Sequence, residues 1–277
     1  MQQVSTVAEL RAAQRGMPRP VGLVPTMGAI HEGHLSLARQ ARADSATVVA
    51  TIFVNPRQFG EAQDLGRYPR PIEQDLALLE QAGVDLVFTP QVNEMYGPGF
   101  TTTIHLDGPA LGFEGDARPG HFDGVATVVA KLLLQSLPDV AYFGRKDAQQ
   151  VAVVRRLVSD LDIPVAIVVM PTTREHDGLA ISSRNVTLSA EQRQAAPTFF
   201  RALSAMRDRY RSGMQDATRL EQNCRTLLAR EPLFNVVDYV ALVDEETFAL
   251  WSGLGPCLLI GAVRVGGVRL IDNVVLD

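Results

Sequence analysis

Lysine is almost missing from this chain. Lys131 and Lys146 are the only two, and arginine supplies the other 24 of the 26 basic residues. The plain explanation for the excess of arginine is codon bias. Each lysine still stands out, because a compact ammonium was kept where a planar guanidinium is the habit. Cysteine is as scarce: Cys224 and Cys257 stand alone, without the paired spacing of a metal site. That argues against a disulfide framework and points to a reducing cytoplasm. An excess of positive charge is lacking too, with 26 basic against 31 acidic residues and a net charge of -5. A broad nucleic-acid footprint is therefore not expected, though a local basic patch stays open. No apolar run is long enough for a bilayer; the longest, 125–137, is interrupted by Lys131. Residues 1–16 read as a short amphipathic helix. They show no basic stretch leading into an apolar core and cleavage site, so no signal peptide is expected. Internal repeats and low-complexity segments are not seen.

What the chain does have is an ordinary globular composition, 46% hydrophobic and 21% charged over 277 residues. That length suits one large domain or two modest ones, with a core that needs no staples. Short β-rich runs fall at 21–25, 47–54, 85–89, 101–106, 140–143 and 165–170. Most are continuously apolar, as strands buried on both faces are. Helical patterns lie between them at 35–43, 72–82, 122–137 and 148–160. This alternation predicts an α/β fold with a parallel sheet covered by helices. In such sheets ligands bind beyond the carboxyl ends of the strands. The pattern changes near residue 175. Helical stretches at 190–211 and 217–230 precede strand runs at 236–243, 258–265 and 268–271, with Gly266-Gly267 as a tight hairpin turn. The expectation is domain 1–175 followed by a smaller α+β domain, 176–277, with the boundary in the polar segment 174–185.

The densest chemistry follows the first predicted strand: Pro25-Thr26-Met27-Gly28-Ala29-Ile30-His31-Glu32-Gly33-His34. Gly28 permits a tight turn, and Gly33 lets backbone approach a ligand. His31 and His34, three apart at a helix start, can face the same way. The helix N-terminus adds free N–H groups and the positive end of a dipole. The combination suits the charge of a nucleoside triphosphate. Two rival readings are structural histidines and a zinc site. Zinc helices of the metalloprotease type space their histidines at i and i+4, whereas these are at i and i+3 with no Cys or third His nearby.

An H-x-G-H after the first strand of such a sheet resembles the nucleotidyltransferase superfamily, which includes the class I aminoacyl-tRNA synthetases. Further blocks narrow the resemblance. Phe53-Val54-Asn55-Pro56-Arg57-Gln58-Phe59-Gly60 and Tyr68-Pro69-Arg70 come first. Arg118-Pro119-Gly120-His121-Phe122-Asp123-Gly124-Val125, Phe143-Gly144-Arg145-Lys146-Asp147-Ala148-Gln149-Gln150 and Asp177-Gly178-Leu179-Ala180-Ile181-Ser182-Ser183-Arg184-Asn185 follow. In this order they resemble the pantothenate synthetase (pantoate–β-alanine ligase) family through nearly the whole chain.

That resemblance implies a Rossmann-like sheet domain binding ATP and pantoate, and a smaller C-terminal α+β lid domain. It implies condensation of (R)-pantoate with β-alanine through pantoyl adenylate, releasing AMP and pyrophosphate, on the route to coenzyme A. A carboxylate is already a nucleophile at pH 7, so adenylation needs positioning and charge neutralisation rather than a strong base. By the same resemblance His31, His34 and Lys146 are the catalytic candidates. ATP would be bound by residues Met27, Gly28, Ala29, Ile30, His31, Glu32, Gly33 and His34, by Gly144, Arg145, Lys146 and Asp147, by Thr173, and by Ile181, Ser182, Ser183 and Arg184. Gln58 and Gln150 would bind pantoate, with Gln58 also bordering β-alanine. Many family members carry an acidic or amide residue where Arg145 stands, so its own role is open, as are those of Arg118 and His121. Ser182-Ser183 also read as a helix cap or turn. Mg²⁺ would come with ATP; its ligands are not assigned, and Asp75 reads either as a metal carboxylate or as a solvated helix residue. A homodimer, with neither nucleic acid nor membrane as partner, completes the expectation. Two other functions share these features: a nucleotidyltransferase that leaves the nucleotide on its product, and a nucleotide sensor that turns nothing over.

Overall fold

Five of the six strand runs expected before residue 175 form one parallel sheet, together with a short strand that the sequence pattern did not suggest. The computed structural model describes residues 1–60, 65–66 and 68–277. In chain order it runs β1 (Gln2–Val4), α1 (Val7–Gln14), β2 (Val21–Thr26), α2 (Glu32–Asp44), β3 (Thr47–Ile52), α3 (Ile72–Gln81), β4 (Leu86–Phe88), α4 (Val92–Met95), α5 (Phe113–Ala117), α6 (His121–Ser136), β5 (Val140–Gly144), α7 (Ala148–Asp160) and β6 (Ala166–Met170). The strand order is β1-β4-β3-β2-β5-β6, with every neighbouring pair parallel. The order reverses at β2, between β3 and β5, where an open parallel sheet leaves a crevice beyond its strand ends.

One face of this sheet buries Val24, Val48, Ala50, Val87 and Tyr142 against Leu35, Leu37, Ala38 and Ala41 of α2 and Leu79 of α3. Leu23, Val49, Leu86 and Ala141, their alternating neighbours, are fully buried as well, and α6 packs against β2 while α1 packs against α6. Burial on both faces is why these strands read as unbroken apolar runs.

Three details depart from the sequence pattern. The first residues are not one helix: β1 precedes α1, which Thr6 and Glu9 start with a reciprocal capping box. Residues 101–106 form no strand. The Ile104 N–H donates to Thr127 Oγ1 at 3.0 Å and Arg57 holds Thr103 Oγ1 at 2.5 Å, so side chains answer this segment where a neighbouring strand would. The helical stretch 190–211 divides into α8 (Ala190–Ala195) and α9 (Pro197–Arg211). Pro197 lacks an N–H and crowds the preceding turn, which makes it a first residue and not an interior one.

The chain then adds α10 (Ala217–Leu228), β7 (Phe234–Asp244), β8 (Cys257–Val265) and β9 (Val268–Leu276). The last three strands make an antiparallel sheet in the order β7-β8-β9. Val265 pairs with Val268 across the two-residue Gly266-Gly267 turn, and Gly266 adopts a φ of 60° that such a turn requires. Phe199, Leu203 and Met206 of α9 and Leu220, Cys224 and Leu228 of α10 form a core with Leu242, Leu259, Val263 and Val274 of the sheet. Both cysteines are free and buried.

Contacts divide the described residues into two units. One holds Met1–Gly144 and Val153–Met170; the other holds Arg145–Ala152 and Pro171–Asp277. The second unit thus takes in Arg145–Ala152 as well as the residues after the boundary expected near 175. No helix among the described residues is long and apolar enough to cross a membrane.

Candidate active site

In the first unit the site candidates gather beyond β2. Thr26, its last residue, donates from Oγ1 to the Thr51 carbonyl at 2.7 Å, and that same oxygen accepts the Gly28 N–H at 3.1 Å. Gly28 has a φ of +83°, and a Cβ there would lie 2.9 Å from Asp75 Oδ2. Ala29 follows, also at positive φ, 50°. The carboxylate of Asp75 holds this unusual turn by accepting the N–H groups of Ala29 and Ile30 at 2.9 and 2.7 Å. Asp75 is only 1% exposed, so it is not the solvated helix residue that was one of its two readings. Burial raises its pKa above the ordinary carboxylate value, against the two N–H bonds.

The turn delivers the chain into α2. His31 is its N-cap and His34 sits three residues on. The His31 backbone N–H donates to His34 Nδ1 at 3.4 Å, and the two rings stack with centroids 4.0 Å apart. Because Nδ1 accepts, a neutral His34 carries its proton on Nε2 and can donate from there. Gly33 has a local reason that the sequence did not suggest: a Cβ would lie 2.9 Å from Cε1 of the His31 ring. Glu32 turns along the helix to an ion pair with Arg39, both exposed.

Gln58 ends the 3₁₀ turn Pro56–Gln58 beyond β3 and is 7% exposed. Its Nε2 lies 3.0 Å from Met27 Sδ, and its Oε1 accepts from Asn55 Nδ2 at 3.0 Å. Asn55 is fully buried; it also donates to the Gly124 carbonyl and accepts from Tyr96 Oη at 2.8 Å. Burial pushes the Tyr96 phenol up to about 12, with Arg57 opposing, so it remains a donor. His121 Nδ1 and Arg118 donate to the Gln58 carbonyl at 2.8 and 3.2 Å, and Arg118 also donates to His121 Nε2 at 3.2 Å. Arg118 and His121 thus brace the Gln58 loop. A Cβ on Gly124 would collide with the Arg57 carbonyl, so only glycine lets α6 come this close. Asn55 belongs to the 53–60 block but has no assigned role in the sequence expectation. Its position before Pro56 in a post-strand turn was the available signal.

Gly144 closes β5, and the second unit begins with the 3₁₀ turn Arg145–Asp147. Arg145 pairs with Glu245, which gives its side chain a structural partner. Lys146 is largely buried, with its Nζ 3.4 Å from Asp147 Oδ1. It lines a recess together with Ser182, Arg184, Arg269 and Asp272. Ser182 caps the 3₁₀ turn Ser183–Thr187 by accepting the Arg184 N–H, as its cap reading anticipated. The Thr173 carbonyl accepts the Ile181 N–H at 3.0 Å. The other lysine has a different use: Lys131 Nζ lies 5.0 Å over the Phe100 ring, a cation–π contact. Gln150, in the first turn of α7, belongs to the second unit, and Gln58 to the first.

A family model described as pantoate-beta-alanine ligase matches residues 1–275. The curated pantothenate synthetase of Roseiflexus sp. (strain RS-1) is 52% identical, with all of both chains covered. That of Chloroflexus aurantiacus is also 52% identical, covering all of this chain and 99% of the relative. The crystal structure of pantothenate synthetase from Thermus thermophilus superposes with a TM-score of 0.93 at 51% identity, covering 100% of this chain and 99% of that one. A pantoate-beta-alanine ligase from Francisella tularensis, complexed with β,γ-ATP and β-alanine, aligns with a TM-score of 0.82 at 31% identity, covering 100% and 98%.

Proposed function

The chain belongs to the pantoate-beta-alanine ligase family, and from that premise we propose how its residues divide the work of joining pantoate to β-alanine. The reaction is the ATP-dependent condensation of (R)-pantoate with β-alanine to pantothenate. The match over residues 1–275 carries this reading.

In the first step a pantoate carboxylate oxygen attacks the α-phosphorus of ATP. A P–O bond forms to the acid, and the bond to the β-phosphate oxygen breaks with its electron pair. Pyrophosphate leaves and pantoyl adenylate remains. In the second step the β-alanine nitrogen attacks the acyl carbon, the C–O bond to AMP breaks, and the amine releases a proton. No strong base is needed in the first step, so the catalytic load is placement and neutralisation of developing charge.

His34 fits the charge-neutralising role because its Nδ1 accepts a backbone N–H, so that a neutral ring carries its proton on Nε2 and can offer it to phosphate oxygen. His31 stacks on it and holds the ring plane. The backbone from Met27 to Gly33 lies along the nucleotide in this reading, and Glu32 contributes backbone only. Gly144, Arg145, Lys146 and Asp147 form a second ATP-binding segment, with Lys146 the phosphate cation. Ser182, Ser183 and Arg184 add hydroxyls and a guanidinium able to pair with phosphate oxygens; Ile181 and Thr173 contribute backbone. Gln58 and Gln150 bind pantoate, and Gln58 borders β-alanine. The support for Gln58 is its buried, doubly oriented amide.

ATP enters as its magnesium complex. Among the described residues no three His, Cys, Asp or Glu side chains stand together to hold a metal ion, and Asp75 spends its oxygens on the turn. Mg²⁺ bound through substrate phosphates needs only one or two protein carboxylates. A homodimer in the cytoplasm is the proposed working state.

Isotope exchange tests the reading. Labelled pyrophosphate should enter ATP when pantoate is present and β-alanine absent, and omitting pantoate should abolish it. Adding β-alanine should yield AMP and pantothenate in equal amounts. Exchange that required β-alanine would refute the adenylate route.

A further inference from the structure

In the last strand of the second unit a polar pair, Asp272-Asn273, each 4% exposed, stands between apolar Leu270-Ile271 and Val274-Val275-Leu276. Buried polar side chains at that depth are kept where their hydrogen bonds do something that an apolar residue would not. The Asn273 amide Nδ2 donates to two carbonyls at once, Arg145 at 2.8 Å and Lys146 at 3.1 Å. Two acceptors on one side settle the amide's orientation, because its oxygen would be repelled there. Asn273 Oδ1 is buried without a hydrogen-bond partner. The residue therefore tolerates an unsatisfied acceptor in order to grip that turn.

The grip is itself braced. The Asn273 N–H donates to Asp272 Oδ1 at 2.8 Å, and the Asn273 carbonyl accepts from Arg174 at 3.2 Å. Arg174 binds the Asp272 carboxylate through both terminal nitrogens, at 2.6 and 2.9 Å. It also donates to the Gly178 carbonyl and pairs through its backbone with Ala180, two residues before Ser182. Phe200 closes the other side, with the guanidinium 3.6 Å over its ring. One continuous set of bonds therefore runs from the Lys146 turn through β9 to the segment that carries Ser182 and Arg184.

We propose that Asn273 is a positioning residue for Lys146, and that Asp272 and Arg174 hold Asn273 so that Lys146 and the 182–184 segment keep a fixed spacing for a polyphosphate. The inference rests on the reading of Lys146 as the phosphate cation. Asn273 touches no substrate; it acts through the backbone that aims the lysine. Small misplacements of a positioned group are costly, on the order of a hundred-fold for about 1 Å.

The test is a double-mutant cycle on pantoate-dependent pyrophosphate–ATP exchange. Asn273→Ala in the full chain should slow exchange about ten-fold or more with little change in the KM for pantoate. Asn273→Ser, which keeps one donor, should lie between, and serves if the alanine variant does not fold. In a Lys146→Ala background the same changes should cost almost nothing further, because the group they aim is gone. Equal losses in both backgrounds, or loss only of thermal stability, would overturn the positioning role. If Lys146→Ala itself leaves exchange unchanged, the reading of Lys146 fails instead, and that outcome is separate from slowed exchange in Lys146→Ala beside normal exchange in Asn273→Ala.

Discussion

At His34 the question that decides the chemistry is which ring nitrogen carries the proton. The His31 N–H at Nδ1 answers it, and the donor is left on Nε2. His34→Ala should therefore lower the exchange rate by about 10²–10³ while ATP affinity, measured by calorimetry, changes much less, because such a bond strengthens as charge develops. Unchanged turnover would remove His34 from the mechanism. Asp75 makes a different kind of contribution. Replacing it with alanine strands the Ala29 and Ile30 N–H groups, each worth about 1–3 kcal/mol when buried and unpaired, so Asp75→Ala should lower the unfolding midpoint in urea and weaken ATP binding together. A variant as stable as the parent would show that the turn holds without its carboxylate. The histidines were legible from sequence because their chemistry lies in the side chain and their spacing is local. Asp75, Asn55 and Asn273 were not: each acts on backbone that is distant in sequence, and no spacing rule connects residue 75 to residue 29 or 273 to 145.

At the scale of elements, local signals decide where helices begin, and longer-range pairing decides what becomes a strand. Pro197 was in plain view, yet the flanking periodicity concealed the break it makes between α8 and α9. The β-branched run 101–106 had strand propensity but found side-chain partners. Propensity for a pleated surface is no substitute for a neighbour to pair with. The segment between Arg174 and α8 carries a pH signature. A hydrogen bond from Arg193 lowers the Asp177 pKa below its ordinary 3.8, with burial opposing. A depressed carboxylate stabilises the fold above its unfolded value, and that contribution disappears as pH falls through the folded one. Arg193→Gln should move the Asp177 titration, followed by carboxyl NMR, back towards the ordinary value. The stability gap between parent and variant should close as the pH falls below that range. A titration that does not move would mean the bond is not populated in solution.

For the whole molecule, the parallel sheet and the antiparallel one were both readable, because strands buried on two faces and strands joined by a glycine hairpin leave different patterns. The membership of Arg145–Ala152 in the second unit was not readable, since it depends on Asn273 and Glu245 far along the chain. The strand order has a further consequence, for synthesis. A chain emerging from the ribosome presents β2 and β3 early, and these can pair as soon as both are out. The other flank of β2 stays open until β5 follows, and β1, made first, must wait for β4 before it has a neighbour. Contacts of that sequence separation close slowly, and domains tend to fold in the order they are made. The nascent chain thus carries its histidine turn on a half-built sheet whose β2 flank stays bare until β5 is made, and an unpaired strand flank of that kind is open to pairing with another chain.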